Sequence, residues 1–189
     1  MPRFSGLDAL DLVNASKLGV PFILVSGTIG EETAVSAMRA GASDYLLKDR
    51  LTRLGAAVRR SLLEAEQRRA RREAENRLRL LFHAVEQSPA MITITDAAGN
   101  IEYVNPRFTA LTGYTLDMVL GQNSRILKSG HTPPAEYEWL WKTITAGGEW
   151  RGEFSNRRRN GELFWESAAI SPVRDDAGQI THFIKVAED

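Results

Sequence analysis

Cysteine is absent from this sequence of 189 residues. Its absence excludes disulfide bonds, thiolate nucleophiles and metal sites built on cysteine. Histidine occurs only three times, at scattered positions, so a metal site built on histidine is not expected either. No apolar run approaches the roughly 18 to 20 residues of a membrane-spanning helix, and no signal peptide is recognisable. We therefore expect no membrane span and a cytoplasmic location.

A net charge is also lacking, because 24 basic residues balance 24 acidic ones. This balance argues against a dedicated nucleic-acid-binding protein. Residues 51–83 depart from it locally, with nine arginines and four glutamates, a surplus of five positive charges. The hydrophobic fraction of 43% is ordinary for a globular protein, and the length suffices for one large or two small domains.

The first fifty residues alternate helical and strand-like segments. Residues 7–13 have helical spacing, and residues 28–31 match a capping box that would open a second helix. Residues 21–26 form a short, continuous apolar run, typical of a strand buried on both faces of a parallel sheet, and residues 44–48 are predicted to be a second strand of this type. The resulting order of helices and strands predicts a parallel sheet.

These residues resemble the second half of a response-regulator receiver domain, over about residues 1–62. Ser26 matches the hydroxyl residue that contacts the phosphoryl group in that family, and Lys48 matches the lysine that balances its charge. Tyr45 matches the aromatic residue whose rotamer reports phosphorylation. The turn at residues 1–6 follows the phosphate-accepting aspartate in the family. We therefore expect that aspartate to lie upstream, the receiver part to be inactive, and the sequence to be a fragment of a longer protein.

A long basic helix is predicted from residue 52 to about residue 87. Its apolar residues recur at spacings of three or four near both ends and are sparse in the arginine-rich middle: Leu51, Leu54, Val58, Leu62, Ala65, Leu78, Leu81 and Val85. The pattern favours a two-stranded coiled coil that links two domains. A solvated helix with glutamate–arginine pairs four residues apart is the alternative. Nucleic-acid binding by these arginines is not expected, because aromatic residues are not interleaved with them.

The C-terminal segment places strands on both sides of a helical middle. Three turn signals, at residues 96–100, 159–161 and 175–178, would each close a hairpin. Five strands are predicted, at residues 91–95, 101–104, 150–158, 163–172 and 180–187. Helical stretches are predicted at residues 106–112, 116–119, 124–127 and 134–146. This order predicts an α+β domain with one antiparallel sheet.

The same segment resembles the PAS sensory fold in its residues as well as in its order. Matching motifs lie at residues 82–89, 105–108, 112–114 and 171–175, and residues 121–127 resemble the helical motif of the flavin-binding, light-sensing LOV branch. The expected fold class is thus an α+β PAS domain with a five-stranded antiparallel sheet, preceded by a long helix and a truncated, flavodoxin-like α/β receiver half-domain.

Three segments follow from these resemblances: a truncated receiver at residues 1–51, a helical linker at 52–87 and a PAS domain at 88–189. We expect a fragment of a bacterial signalling protein of the two-component type, whose PAS domain senses a small ligand or relays a signal through helical linkers. No nucleophile–base constellation indicates an enzyme in this chain. The output domain of the parent, such as a histidine kinase or a diguanylate cyclase, and any kinase partner are left open.

The resemblance to the LOV branch also implies candidate ligand residues. That branch carries a cysteine where this sequence has Ser124, so a covalent adduct with a flavin is excluded, whereas FAD or FMN held without a covalent bond is left open. Arg125 matches a residue that contacts the flavin phosphate. Asn123 and Asn156 match groups at the polar edges of the flavin, and Glu166 stands where the branch has another asparagine.

Trp150 lies in a stretch that resembles redox-sensing PAS domains that hold FAD. An indole beside a cavity can stack on a flavin, although Trp150 as an ordinary core residue is the alternative. Haem is not expected, because His83, His131 and His182 match no known axial position. A flavin-dependent redox sensor and a purely dimerising scaffold are therefore both kept as alternatives.

Glu166 is predicted to face the cavity of the PAS domain, where an unpaired carboxylate would be costly. Lys185 lies on the adjoining strand within reach of it, so we predict a polar pair that either reads a polar ligand or closes the pocket. On the opposite face, Trp165 and Ser167 suit the packing of a helix. We expect a homodimer formed through this face and the linker helix.

Overall fold

A computed structural model describes residues 4–27 and 30–189. The first three residues of the predicted turn and the Thr28 end of the predicted capping box lie outside these ranges. The chain forms two compact units, the first ending at Leu78 and the second beginning at Arg79. In the ranges described, no helix is both long and apolar enough to cross a membrane.

The first unit alternates helices and strands in the predicted order. Its elements are α1 (Gly6–Ser16), β1 (Ile23–Ser26), α2 (Glu31–Arg39), β2 (Asp44–Leu47) and a 3₁₀ turn (Lys48–Arg53) that leads into α3 (Leu54–Glu86). β1 and β2 pair in parallel, with Ser26 opposite Leu47. The predicted parallel pair of strands is therefore confirmed.

α1 begins at a capping box that its sequence encodes. The Ser5 hydroxyl accepts the backbone N–H of Asp8 at 3.2 Å, and the Asp8 carboxylate accepts the backbone N–H of Ser5 at 2.6 Å. Hydrogen bonds to its carboxylate from the backbone and the side chain of Ser5 hold the pKa of Asp8 below its usual value. The capping box satisfies two of the N–H groups that the first turn of a helix leaves unpaired.

The first two strands are only partly covered, although their sequences are of the type found in buried strands. Every residue of β1 and all but Leu46 in β2 are partly exposed. The physical reason is the small apolar core of this unit, whose cluster of buried side chains consists of Leu10, Ala37 and Ala42. Two strands and two short helices cover one another incompletely.

α3 is one continuous helix of 33 residues, close to the predicted span. Arg69 pairs with Glu73 and Arg71 with Glu75, each at 2.7 Å and one helical turn apart. Exposed pairs of this kind contribute only about 0.3 to 0.5 kcal/mol each. The solvated middle of the helix is thus stabilised by its own side chains.

The second unit contains a five-stranded antiparallel sheet with helices inserted after its second strand. The strands are β3 (Met91–Asp96), β4 (Ile101–Val104), β5 (Trp150–Arg157), β6 (Leu163–Arg174) and β7 (Ile180–Glu188), arranged in the order β4-β3-β7-β6-β5. The inserted elements are α4 (Pro106–Thr112), α5 (Leu116–Val119), a 3₁₀ turn (Ser124–Leu127) and α6 (Pro134–Thr145). The five predicted strands and the antiparallel sheet are confirmed.

The core of the second unit lies between the inner face of this sheet and the inserted helices. Residues of β6 alternate between the two faces, so that Phe164, Glu166 and Ala168 are buried while Trp165 and Ser167 are exposed. This alternation is the period of two that a pleated strand imposes. It brings a carboxylate into the interior of the unit.

Candidate functional site

A cavity of about 410 Å³ lies within the second unit, between the sheet and the helices. Its walls are mainly aromatic and aliphatic, formed by Ile101, Phe108, Leu127, Tyr137, Leu140, Trp141, Ile144, Phe154, Ile170 and Phe183. Small-molecule sites commonly have roughly 300 to 1,000 Å³, apolar walls and a few polar groups. The cavity matches that description.

The 3₁₀ turn supplies cationic side chains at one part of the cavity lining. Asn123 caps this turn, since its Oδ1 accepts the backbone N–H of Arg125 at 3.2 Å and the Arg125 Nε at 2.8 Å. Lys128 lies with its Nζ 3.4 Å from the centroid of the Tyr137 ring. Burial and the neighbouring positive charge of Arg125 lower the pKa of Lys128. Glu138 adds one carboxylate to the same lining.

A second polar cluster, formed by Asn156, Glu166 and Lys185, lies on the three adjacent strands β5, β6 and β7. The Asn156 Nδ2 donates to the Glu166 Oε1 at 2.7 Å, and the Lys185 Nζ donates to the same oxygen. Asn156 and Lys185 line the cavity, and Glu166, which is 1% exposed, lies behind them. The ion pair predicted between Glu166 and Lys185 is therefore present, on the inner face of the sheet.

Tyr137 responds electrostatically to this cluster. Burial raises the pKa of Tyr137, a hydrogen bond with Thr132 lowers it, and the negative charge of Glu166 raises it further. The Tyr137 ring stacks on Phe154, with centroids 5.7 Å apart. The charge of Glu166 thus acts on a group of α6 that lines the cavity.

The indole at the cavity wall is Trp141 rather than Trp150. Trp150 is 1% exposed and stacks on Phe154, with ring centroids 4.8 Å apart. Phe154 lines the cavity, and Trp150 does not. Trp141 lines the cavity and packs edge-on against Phe183 at 5.8 Å. Beside it, Gly99 has φ +83°, and a Cβ there would come within 3.0 Å of the Trp141 ring.

Sequence reasoning missed several residues of this site. Thr93 and Thr95 alternate inward along β3 and line the cavity, and the strand period could have identified them. Tyr137 and Trp141 share one face of α6 at a spacing of four, so the helical period could have identified them too. Lys128 follows the 3₁₀ turn and carried no periodic signal.

The residues predicted from the receiver resemblance lie in the first unit. Ser26 ends β1, and Lys48 follows β2 at the same edge of the parallel pair. A Cβ on Gly27 would lie 3.6 Å from the Lys48 Cδ, so the lysine stem runs beside the turn that follows Ser26. Tyr45 is partly buried within β2, opposite Leu24.

Comparison with known proteins gives matches over both units. The family model of the PAS domain matches residues 89–189. The nitrogen fixation regulatory protein of Klebsiella oxytoca is 40% identical over 110 residues, which are 58% of this chain and 22% of that protein. The bacterioopsin transcriptional activator of Halobacterium salinarum is 28% identical over 194 residues, covering 96% of this chain and 29% of that protein.

Among solved structures, an RNA-binding Light-Oxygen-Voltage receptor is similar, with a TM-score of 0.55 and 34% sequence identity. The match covers 58% of this chain and 32% of that chain. The sequence thus spans less than a third of the length of these two curated relatives and of this structure.

Proposed function

This chain belongs to the PAS domain family, and we propose that its residues 88–189 form a sensory domain that binds a flavin without a covalent bond. The observation that carries the proposal is the cavity of about 410 Å³ with aromatic walls and two separate polar clusters. A flat ring system with a polar edge and an anionic tail, such as FMN or FAD, matches walls of that kind.

The groups present in the cavity fit a flavin. Arg125 and Lys128 supply positive charge for a phosphate, and Asn123 orients the Arg125 guanidinium. Asn156 and Lys185 add an amide and an ammonium to the lining, as the few polar groups of a ligand site.

The side chains have distinct roles in this proposal. Trp141 and Phe183 provide aromatic surface for the ring system, and Trp150 supports Phe154 from behind. Asn156 and Lys185 meet the polar edge of the ligand. A bound flavin would supply electron-transfer chemistry, and this makes a redox sensor the specific form of the proposal. Ser124 lines the cavity with a hydroxyl, which forms no thiolate.

An absorption spectrum of the purified full chain tests the proposal. Expressed without added cofactor, the protein should show the two long-wavelength bands of an oxidised flavin, or acquire them on titration with FMN or FAD. Replacing Trp141 by leucine should weaken flavin binding about 3- to 10-fold, because it removes ring contact from the cavity wall. The same replacement at Trp139, an exposed residue of the same helix, should leave the affinity within twofold as a rough bound.

The signalling part of the proposal is a homodimer that transmits a change in the cavity through α3. Leu78 and Leu81, 70% and 58% exposed, follow the spacing of a coiled-coil seam, and Trp165 is 65% exposed on the outer face of the sheet. The same exposed groups support a second candidate function, a scaffold whose PAS domain only dimerises. A dimer that takes up no flavin would favour the scaffold.

For the remainder of the chain we propose a receiver-type unit at residues 1–51 and a helical linker at 52–87. The parallel pairing of β1 with β2 and the common edge of Ser26 and Lys48 support this assignment. The similarity to the Halobacterium salinarum protein over 96% of the chain supports the joint occurrence of both units in one signalling protein. In this proposal the chain itself carries no catalytic domain.

A further inference from the structure

The segment of residues 128–133, which we call the strap, joins the 3₁₀ turn to α6 beside an edge of the sheet. β5 is the last strand at this edge, so the N–H and C=O groups on its outer side have no strand to pair with. The strap takes the place of such a strand at one point, where Lys128 forms an isolated antiparallel bridge with Asn156. Both residues line the cavity, so the strap closes the cavity along β5.

Side-chain hydroxyls hold the strap to β5. The Ser155 backbone N–H donates to the Thr132 Oγ1 at 3.1 Å, and the Ser155 carbonyl accepts from the Ser129 Oγ. The Arg157 guanidinium donates to the Ser129 carbonyl at 2.9 Å. Ser129, Thr132 and Ser155 are all buried. Side-chain hydrogen bonds of this kind can break without unwinding a helix or a strand, so the strap can open locally.

Backbone hydrogen bonds close a different seam of the cavity, at the turn between β3 and β4. The Ser124 N–H donates to the Gly99 carbonyl at 3.0 Å, and the Ile101 N–H donates to the Gln122 carbonyl at 2.8 Å. Gly99, Ile101 and Ser124 line the cavity there. Opening this seam would pull on the first residue of β4, whereas opening the strap moves only an irregular segment.

Gly130 provides a hinge within the strap. It is exposed, its φ is +90°, and a Cβ at this position would meet nothing within 4 Å. Glycine changes φ without the steric penalty of a side chain, which suits a hinge. Pro133 has a fixed φ and directly precedes α6, so movement of the strap ends before the helix.

We propose that the strap is the gate through which a ligand enters and leaves the cavity, with the hydroxyls of Ser129 and Thr132 as its latch. Opening turns the strap about Gly130, away from β5. The inference rests on the proposed ligand-binding function and adds to it the route and the rate-limiting contact. Because the latch is the same in the free and the bound closed state, it changes both rate constants together and leaves their ratio, the dissociation constant, almost unaltered.

A reversible cross-link between the strap and β5 tests the gate. The hydroxyl oxygens of Ser129 and Ser155 lie 3.3 Å apart, and the chain contains no cysteine, so S129C/S155C can form a single disulfide bond. The oxidised variant should bind and release FMN about 10-fold or more slowly than the same variant after reduction, since the cross-link closes the route. The dissociation constants of the two forms should agree within about twofold. The reduced form is the matched control, because it carries the same substitutions.

S129A weakens the latch and tests the gate without a cross-link. Loss of one buried hydrogen bond should raise both rate constants for FMN by about 3- to 10-fold. T143A is its control, because the Thr143 hydroxyl donates to a carbonyl within α6 and should change neither rate constant. Hydrogen exchange of the Ser155 amide follows the opening without any ligand, since this N–H donates to the strap. It should be faster in S129A and slower in oxidised S129C/S155C than in the reduced form.

Equal FMN rate constants in the oxidised and reduced forms would overturn the inference while leaving flavin binding in place, and would assign the route to the seam at Gly99. Unaltered exchange of the Ser155 amide in S129A would overturn the latch. Failure of the wild type to bind either FMN or FAD would overturn the proposed function, and the gate with it.

Discussion

The ion pair of Glu166 and Lys185 couples ligand recognition to stability at the scale of single residues. Removing one partner of a buried pair leaves an uncompensated charge, whereas replacing both by apolar side chains is often neutral. We therefore expect K185M to lower the free energy of unfolding by about 3 to 5 kcal/mol, and E166M/K185M to recover most of this loss. The free energy of unfolding is measured by urea titration with tryptophan fluorescence as the signal, since all four tryptophans lie in the second unit.

K142M is the matched control for that measurement. Lys142 is an exposed lysine of α6, and the same substitution there should change the free energy of unfolding by less than about 0.5 kcal/mol. An equal loss in K142M and K185M, or a double variant no more stable than K185M, would contradict the argument from unpaired charge.

Asn105 is a second residue on which the fold depends. This fully buried side chain caps α4 by accepting the N–H group of Phe108 at 3.1 Å. It also accepts the N–H group of Ile92 in β3 at 3.0 Å and donates to two backbone carbonyls at 2.9 and 3.2 Å. N105A should lower the free energy of unfolding by about 2 to 4 kcal/mol, more than an ordinary cap, because buried backbone groups lose their partners. Thr115 caps α5 without a side-chain hydrogen bond, so T115A should be nearly neutral in the same urea titration.

The contrast between Glu166 and Trp150 shows what the sequence can predict at this scale. The pairing of Glu166 with Lys185 follows from strand alternation, which has a period of two and leaves a buried carboxylate in need of a partner. The choice between Trp150 and Trp141 depends on which ring Phe154 covers. That is a property of tertiary packing, and no local pattern encodes it.

At the scale of elements, the prediction succeeded where turns and periodicity agree. α4 and α5 have their predicted bounds, because a capping asparagine followed by proline opens α4 and a glycine with φ +78° ends it. β1 and β2 form as predicted, and both are only partly covered, since burial depends on how many elements pack against a sheet. An apolar run predicts a strand, but it does not determine how much of that strand neighbouring elements bury.

The end of α3 is tied to β4 by a pH-sensitive contact. The Tyr103 hydroxyl donates to the Glu86 carboxylate, and burial together with that hydrogen bond and charge raises the pKa of Tyr103 to about 12. A tyrosine in the unfolded chain titrates near 10, so the unfolded chain loses this proton first. Stability from this group is therefore complete below about pH 10 and is lost as the pH rises toward about 12.

Y103F should remove that alkaline loss, and E86Q should reduce it, because the amide keeps an acceptor but not the charge, so the pKa of Tyr103 in the folded protein falls toward its usual value. Ultraviolet titration of tyrosinate in the folded protein measures the pKa directly, and unfolding experiments at several alkaline pH values measure the stability. If a tyrosinate titration step near pH 12 persisted unchanged in Y103F, that step would belong to another tyrosine.

At the scale of the whole molecule, the proposed sensory function depends on a physical connection between the cavity and α3. Asn105 joins the backbone of Val85, in the last turn of α3, to Ile92 at the start of β3. β3 also carries Thr93 and Thr95, which line the cavity. A ligand that binds one arrangement of this strand more tightly than another would shift the equilibrium between the linked positions of α3. The free energy of that shift cannot exceed the difference between the two binding free energies.

The last prediction concerns the oligomeric state of the chain in solution. If α3 pairs with a second copy through the seam of Leu78 and Leu81, the double variant L78E/L81E places four carboxylates in that seam and should convert a dimer into a monomer. Leu80 is as exposed as they are, at 68%, but points about 100° away from Leu81 around the helix, so L80E should leave the dimer intact. Light scattering coupled to gel filtration gives the mass of each variant. If L80E also dissociated the dimer, added charge rather than a specific seam would be what separates the chains. If L78E/L81E remained a dimer, the interface would instead be assigned to the sheet face around Trp165.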